Sequence, residues 1–129
     1  MKFNYQPIYF TAMTQVTESQ MNEVHNMLAK GEFIEAMGKF YIDDVVLQEA
    51  NETPKKGKQN VIDGEKEMLA GVGEFIRYEV HGKALNNDTT FYSATMEYVE
   101  KSGTHVKVEQ TVVSKWENGK IISERFYHA

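Results

Sequence analysis

Two glutamates stand apart from the 19 acidic side chains of this 129-residue chain. In an alternating strand the mostly apolar parity faces the core, so an acid within that parity asks for a reason. Glu49 shares a parity with Val45 and Leu47 in a short run; in the last run either parity is partly apolar, and pairing with Trp116 across the Asn118-Gly119 turn favours the set of Ile122, Glu124, Phe126 and His128 as the inward one. A carboxyl taken out of water is pushed toward its protonated form, while a better hydrated one stays ionised. Two held at different depths of one cavity can therefore divide acid and base roles. Glu49 and Glu124 are the candidate catalytic residues.

The same parity argument supplies walls. Gln110 interrupts an inward set of Val106, Val108, Val112, Ser114 and Trp116, while Tyr78 stands with Ile76 and Val80, and Tyr92 with Ala94, Met96 and Tyr98. A few polar groups converging in an apolar, aromatic wall are what a small-molecule cavity presents. Tyr78, Tyr92, Met96, Gln110, Trp116, Phe126 and His128 are accordingly the candidate substrate-binding residues. Plainer readings stay open for each. A lone Glu can pair with Arg125, Arg77 or a Lys across strands, or sit at an open rim; Gln110 can bond a buried backbone group; His128, second from the C-terminus, can fray.

Other chemistries find less support. The four histidines, His25, His81, His105 and His128, show no metal-ligand spacing, and with no Cys the thiolate-zinc and disulfide readings fall away, so no metal or cofactor is expected. No serine stands in a nucleophile-elbow context. With 14 basic against 19 acidic residues and a net charge of −5, the chain lacks the concentrated positive field that nucleic acid or an anionic membrane would need. A neutral or cationic small molecule, or another protein, suits it better. Neither a membrane-spanning run nor the apolar stretch of a secretory signal is visible, and the absence of Cys suits a reducing compartment, so a cytoplasmic location is expected.

These residues must be held by a regular frame. Thr17-Glu18-Ser19-Gln20 reads as a capping box that opens a helix over residues 17–30, with Val16, Met21, Val24, Met27 and Leu28 on its buried stripe and Gly31 as its stop. Phe33, Ile34, Met37, Phe40 and Tyr41 repeat the spacing in a shorter helix. Asp43-Asp44 should end it and open a strand over residues 45–50, followed by a polar loop over 51–57. A third helix begins at Lys58, with Val61, Ile62, Met68, Leu69 and Val72 on one face, and stops near Gly71 or Gly73. The period then changes from 3.6 to 2. Four long alternating runs, about 74–85, 89–100, 105–116 and 120–128, are joined by short turns, of which Asn118-Gly119 has the strongest hairpin chemistry. Strands of twelve residues would span roughly 40 Å if straight, so they must twist and curl around the helices. The prediction is an α+β fold of order α-α-β-α-β-β-β-β. Three N-terminal helices pack in the concave face of a strongly curved, mostly antiparallel sheet, as one domain over 14–129 after an extension of residues 1–13.

Two segments carry a family resemblance. Gly31 to Ala36 through Phe40-Tyr41-Ile42-Asp43-Asp44-Val45-Val46-Leu47-Gln48-Glu49, with Gly57-Lys58 opening the third helix, resembles the helix-two to strand-one segment of SnoaL-like proteins. Trp116-Glu117-Asn118-Gly119-Lys120-Ile121-Ile122-Ser123-Glu124-Arg125-Phe126-Tyr127 is similar to their closing hairpin. The resemblance covers nearly the whole chain and implies the cone of the nuclear-transport-factor-2-like, or cystatin-like, superfamily, which includes polyketide cyclases and ketosteroid isomerases as well as non-catalytic modules. It places Glu49, six residues after Asp43, where ketosteroid-isomerase-like members have a general base, and Glu124 nearest the late-strand acid of cyclase-type members. Val112 stands where the isomerases carry an acidic oxyanion donor, and Val24 or His25 falls near their helix-one tyrosine. It also implies a homodimer through the outer sheet face, with Phe91, Thr95, Val99, Val113 and Ile121 on that parity.

The function expected is therefore a cofactor-independent acid/base enzyme, of isomerase, cyclase or dehydratase type, acting on an apolar carbonyl or polyketide-like compound. The alternative is a non-catalytic ligand-binding or dimerisation module of the same fold.

Overall fold

In a computed structural model, residues 16–128 are described; the expected extension, residues 1–13, lies outside them. Helix α1 spans Glu18–Ala29, α2 Phe33–Phe40 and α3 Lys58–Ala70; the strands are β1 Tyr41–Glu49, β2 Lys55–Lys56, β3 Val72–Asn86, β4 Thr89–Glu100, β5 His105–Glu117 and β6 Lys120–Tyr127. The six strands form one sheet in the order β2-β1-β6-β5-β4-β3, antiparallel throughout except where β1 runs parallel to β6. Helices first, then a long meander, is the α+β cone expected; the sheet is not closed. No helix among the described residues is long and apolar enough to cross a membrane.

Local chemistry accounts for most element ends. The capping box at Thr17 forms, with the Gln20 amide N–H donating to the Thr17 hydroxyl at 3.1 Å and the Thr17 N–H to the Gln20 side chain at 2.9 Å. Asn118 and Gly119 both take positive φ, 52° and 78°, as the β5–β6 turn requires. Three boundaries differ from expectation, the first at Val72, which opens β3 by pairing with Glu100 instead of lying on the face of the third helix, because α3 ends at Ala70. β1 begins at Tyr41 rather than Val45, because the chain passes from α2 directly into extended backbone and Tyr41 pairs with Ile121, leaving Asp43 and Asp44 exposed at an irregular stretch. The polar loop after β1 contains β2, whose two lysines pair with Val46 and Leu47 and cover the open edge of β1.

Parity was legible along β4 and β5 and misread on their neighbours, where bulges intervene. In β3 the register shifts between Phe75 and Arg77, so Ile76 is the extra residue; it is 43% exposed, and Phe75 takes the inward place expected for it. In β6 Trp116 pairs with Ile121 while Lys115 pairs with Ser123, so Ile122 is the extra residue. Ile121 therefore points inward and is buried, correcting its expected place on the outer face, and Glu124 still arrives inside, opposite Ser114. Thr95 is also unavailable on the outer face: its hydroxyl bonds to the His81 ring at 2.6 Å, and it lies buried between β3 and β5. What remains there is Phe91, 39% exposed, beside Val113, with Val99 farther along. The ground between is charged, with Arg77, Glu79, Glu97 and His105 linked in ion pairs.

The α1–α2 turn fixes how the helices enter the cone. Gly31, at φ 78°, closes α1 with the Glu32 N–H bonded to the Met27 carbonyl at 3.0 Å and its own N–H to Leu28 at 2.9 Å, a left-handed helix stop. A Cβ there would lie 3.2 Å from the Phe75 ring. Gly31→Ala should lower the unfolding free energy by about 1–2 kcal/mol, read by urea denaturation. Unchanged stability would mean that this turn does not depend on glycine.

Candidate functional site

The curved sheet and the three helices enclose a cavity of about 120 Å³. Its walls come from α1 (Val24, Leu28), α2 (Phe33, Met37, Phe40) and the inward parities of all the long strands. Strand twist and the β3 bulges keep the helices from filling the centre, which leaves room between otherwise well packed apolar layers.

At the inner wall sits Glu124, 7% exposed. Tyr41 donates its hydroxyl to Oε1 and Ser114 donates to Oε2, so both carboxyl oxygens have a partner although no basic side chain among the described residues reaches them. Burial pushes the Glu124 carboxyl up, the two hydroxyl bonds pull it back, and the nearby Glu49 charge pushes the same way as burial. The Tyr41 phenol, buried beside that carboxyl, is held well above the ordinary phenol value.

On the adjoining wall a chain of donors runs from β5 to β4. The Gln110 amide donates to the Tyr78 hydroxyl at 3.1 Å, and Tyr78 donates to the Tyr92 hydroxyl at 3.4 Å. The two phenols share one bond, so one O–H of the pair is left to give. Desolvation raises Tyr78 to about 12 and holds Tyr92 well above the ordinary phenol value, so both stay protonated at neutral pH. His25 backs this wall with its ring 4.4 Å from that of Tyr92; burial, aided by the Lys83 charge, lowers it to about 4, and at neutral pH it is uncharged.

The mouth is acidic. Glu49 ends β1 with its side chain 47% exposed and accepts from His128 Nε2 at 3.1 Å. Glu65 faces it from α3. Burial and the Glu49 charge together raise the Glu65 carboxyl to about 6, with Lys55 pulling the other way. Three carboxyl groups thus face one cavity, and none of the described residues lining it is basic. Among the described residues no three acids or histidines are placed to hold a metal ion.

Of the residues expected here, Glu49, Glu124, Tyr78, Tyr92, Met96, Gln110 and Phe126 line the cavity. Trp116 does not. It lies in the neighbouring core against Phe40, its indole N–H donating to Thr90 at 3.0 Å, because the inward parity of β5 runs on past the cavity. His128 stands behind Glu49 rather than in the wall, and neither glutamate pairs with Arg77 or Arg125. Val112, fully buried between Tyr92 and Phe126, contributes packing only. The sequence reading missed Glu65 and Tyr41. Glu65 had a visible signal: it lies four residues after Val61 and three before Met68, an acid on the apolar stripe of its helix.

The chain matches no family model, and no curated protein matches it at a significant level. Solved structures do resemble it. A candidate SnoaL-like polyketide cyclase from Mesorhizobium loti superposes with a TM-score of 0.75 at 24% identity, covering 85% of this chain and 97% of that one. A nuclear-transport-factor-2-like protein of unknown function from Burkholderia pseudomallei gives 0.73 at 13% identity, over 86% and 88%. A hypothetical protein with a ketosteroid isomerase-like fold from Catenulispora acidiphila, in complex with trimethylamine, gives 0.72 at 14%, over 88% of each. This chain has the fold that these proteins share.

The raised Glu65 carboxyl gives a stability test with a definite sign. Folding favours its protonated form, so that contribution is full below pH ~4.5 and is lost as pH rises through about 6. Glu65→Gln should match the parent near pH ~4 and exceed it by about 2 kcal/mol at pH ~8, measured by urea denaturation at both. A constant difference across that range would mean the carboxyl is as well hydrated in the fold as out of it.

Proposed function

We propose that this chain is a SnoaL-like small-molecule pocket protein, and that its pocket performs cofactor-independent acid/base chemistry on an apolar carbonyl compound. The observation that carries the reading is the convergence of three carboxyl groups at different depths on one aromatic-walled cavity. Abstraction of a proton next to a carbonyl needs a base within about 3 Å of that proton and a donor for the oxygen on which charge develops. Glu49, hydrated at the mouth and steadied by His128, suits the base; Glu65 beside it can accept or return a proton near neutral pH. The Tyr92 hydroxyl at the end of the Gln110–Tyr78 chain suits the donor, a role that Val112 cannot fill. Glu124, the most deeply buried of the three, suits the acid, with Tyr41 and Ser114 fixing its orientation.

Among the described residues the lining carries carboxyl groups and no basic one, which disfavours carboxylate or phosphate ligands. Neutral carbonyl compounds, polyketide-like ones among them, fit, and a cationic group could rest at the mouth. The complex of the Catenulispora acidiphila protein with trimethylamine is in keeping with that last point.

A second reading has its own support. Both Glu124 oxygens are already engaged, as they would be in a binding site that orients a ligand without turning it over. Pairing of two copies through the Phe91–Val113 row of the outer face belongs to either reading.

Deuterium exchange separates catalysis from binding. Incubation with simple ketones in deuterated buffer, followed by NMR, should show protein-dependent exchange of the protons next to the carbonyl. Glu49→Gln should lower that rate by roughly a hundredfold or more while ketone binding persists. Ketones that bind but exchange only at the background rate would favour the binding module.

A further inference from the structure

Three side chains of the cavity wall have a second room behind them. Phe33, Met68 and Met96 line the first cavity on one side and, on the other, a cavity of about 200 Å³. Gly31, Leu69, Val72, Phe75 and Tyr98 close it, where the α1–α2 turn and the end of α3 meet β3 and β4. Its lining is apolar apart from the Tyr98 hydroxyl and the single cation, Lys30.

The partition is made of unequal parts. Phe33 is fixed by edge-on contacts to Phe75 and Tyr78, each 5.7 Å between ring centres. The methionines are otherwise: Met68 is 37% exposed, Met96 is only partly buried, and an unbranched thioether changes rotamer without leaving any strong polar group unbonded. The first cavity is also small. At about 120 Å³ it accepts a group about the size of benzene, so anything longer must leave through the acidic mouth or pass the methionines. An alkyl chain gains nothing at a hydrated mouth and gains burial beyond the partition.

We propose that the two cavities bind one elongated ligand, its polar head among the carboxyl and phenol groups of the first and an unbranched apolar tail running past Met68 and Met96 into the second. This rests on the reading of the first cavity as a small-molecule site, and it adds the substrate class: compounds with a medium-length unbranched alkyl tail.

The test uses methyl n-alkyl ketones from propyl to nonyl, with dissociation constants measured by calorimetry on the whole chain. Once the alkyl group outgrows the first cavity, affinity should keep rising by about fourfold per methylene, from ~0.8 kcal/mol for each CH2 buried. Val72→Phe and Leu69→Phe, which narrow only the second cavity, should flatten that rise and leave the propyl ketone unaffected. If affinity levels off at short chains in the parent, or climbs equally in both variants, the tail path is wrong although the first cavity binds. If no ketone of any length binds, the pocket reading fails and this proposal with it.

Discussion

Glu124 is taken out of water on β6, and a carboxyl in that position needs donors for its oxygens or a proton of its own. Ser114 comes from the strand paired with it and Tyr41 from the start of β1, so the one group ties β5, β6 and the α2–β1 junction together. No cation among the described residues neutralises it. Its charge is instead managed by hydroxyls, which leaves the carboxyl responsive to whatever enters the cavity. A Lys or Arg at Tyr41 would have made a structural ion pair; a phenol makes a group whose proton affinity stays raised. That is the kind of perturbation on which acid/base sites are built, and it has a cost in stability that an apolar residue would not incur.

The cavity exists because the sheet does not lie flat. β3 carries three register shifts over Val72–Asn86, and each adds a residue and bends the strand away from an even ladder. The helices meet a curved wall which they cannot fill completely, and side chains of different reach divide the remaining space. Phe33, pinned by two neighbouring rings, and the unbranched methionines beside it separate the cavity that carries the carboxyl and phenol groups from an apolar one. Glu49 stands half-exposed at the end of β1, whereas Glu65, more buried on α3, eases their mutual repulsion by holding its proton up to about pH 6.

Much of this frame was legible in the residues. The capping box at Thr17, the glycine stop at Gly31 and the Asn118-Gly119 turn each encode a local backbone state, and each appears where it was read. Alternation located Gln110, Tyr92 and Met96 on β4 and β5, which pair without irregularity. It failed for Ile76, and it put Ile121 on the wrong face, because one extra residue reverses parity and nothing in the local composition announces the bulge. Glu124 was placed inward correctly, since the reversal at Ile122 lies before it. Trp116 followed the right parity but the wrong depth, and depth along a strand is set by which helix lies across it. Tyr41 was hidden by reading Asp43-Asp44 as a boundary. Glu65 was hidden by treating α3 as a purely apolar face.

The central claim is that the cavity holds carboxyl groups with raised proton affinity, placed by burial rather than by ion pairing. Carbon-13 NMR of the protein labelled at the glutamate carboxyl carbons, followed through a pH titration, measures this directly. Two resonances should titrate above the ordinary glutamate range, one near pH 6 that disappears in Glu65→Gln and one that disappears in Glu124→Gln. Titration of every glutamate within the ordinary range would contradict the claim, and with it the division of acid and base roles in the pocket.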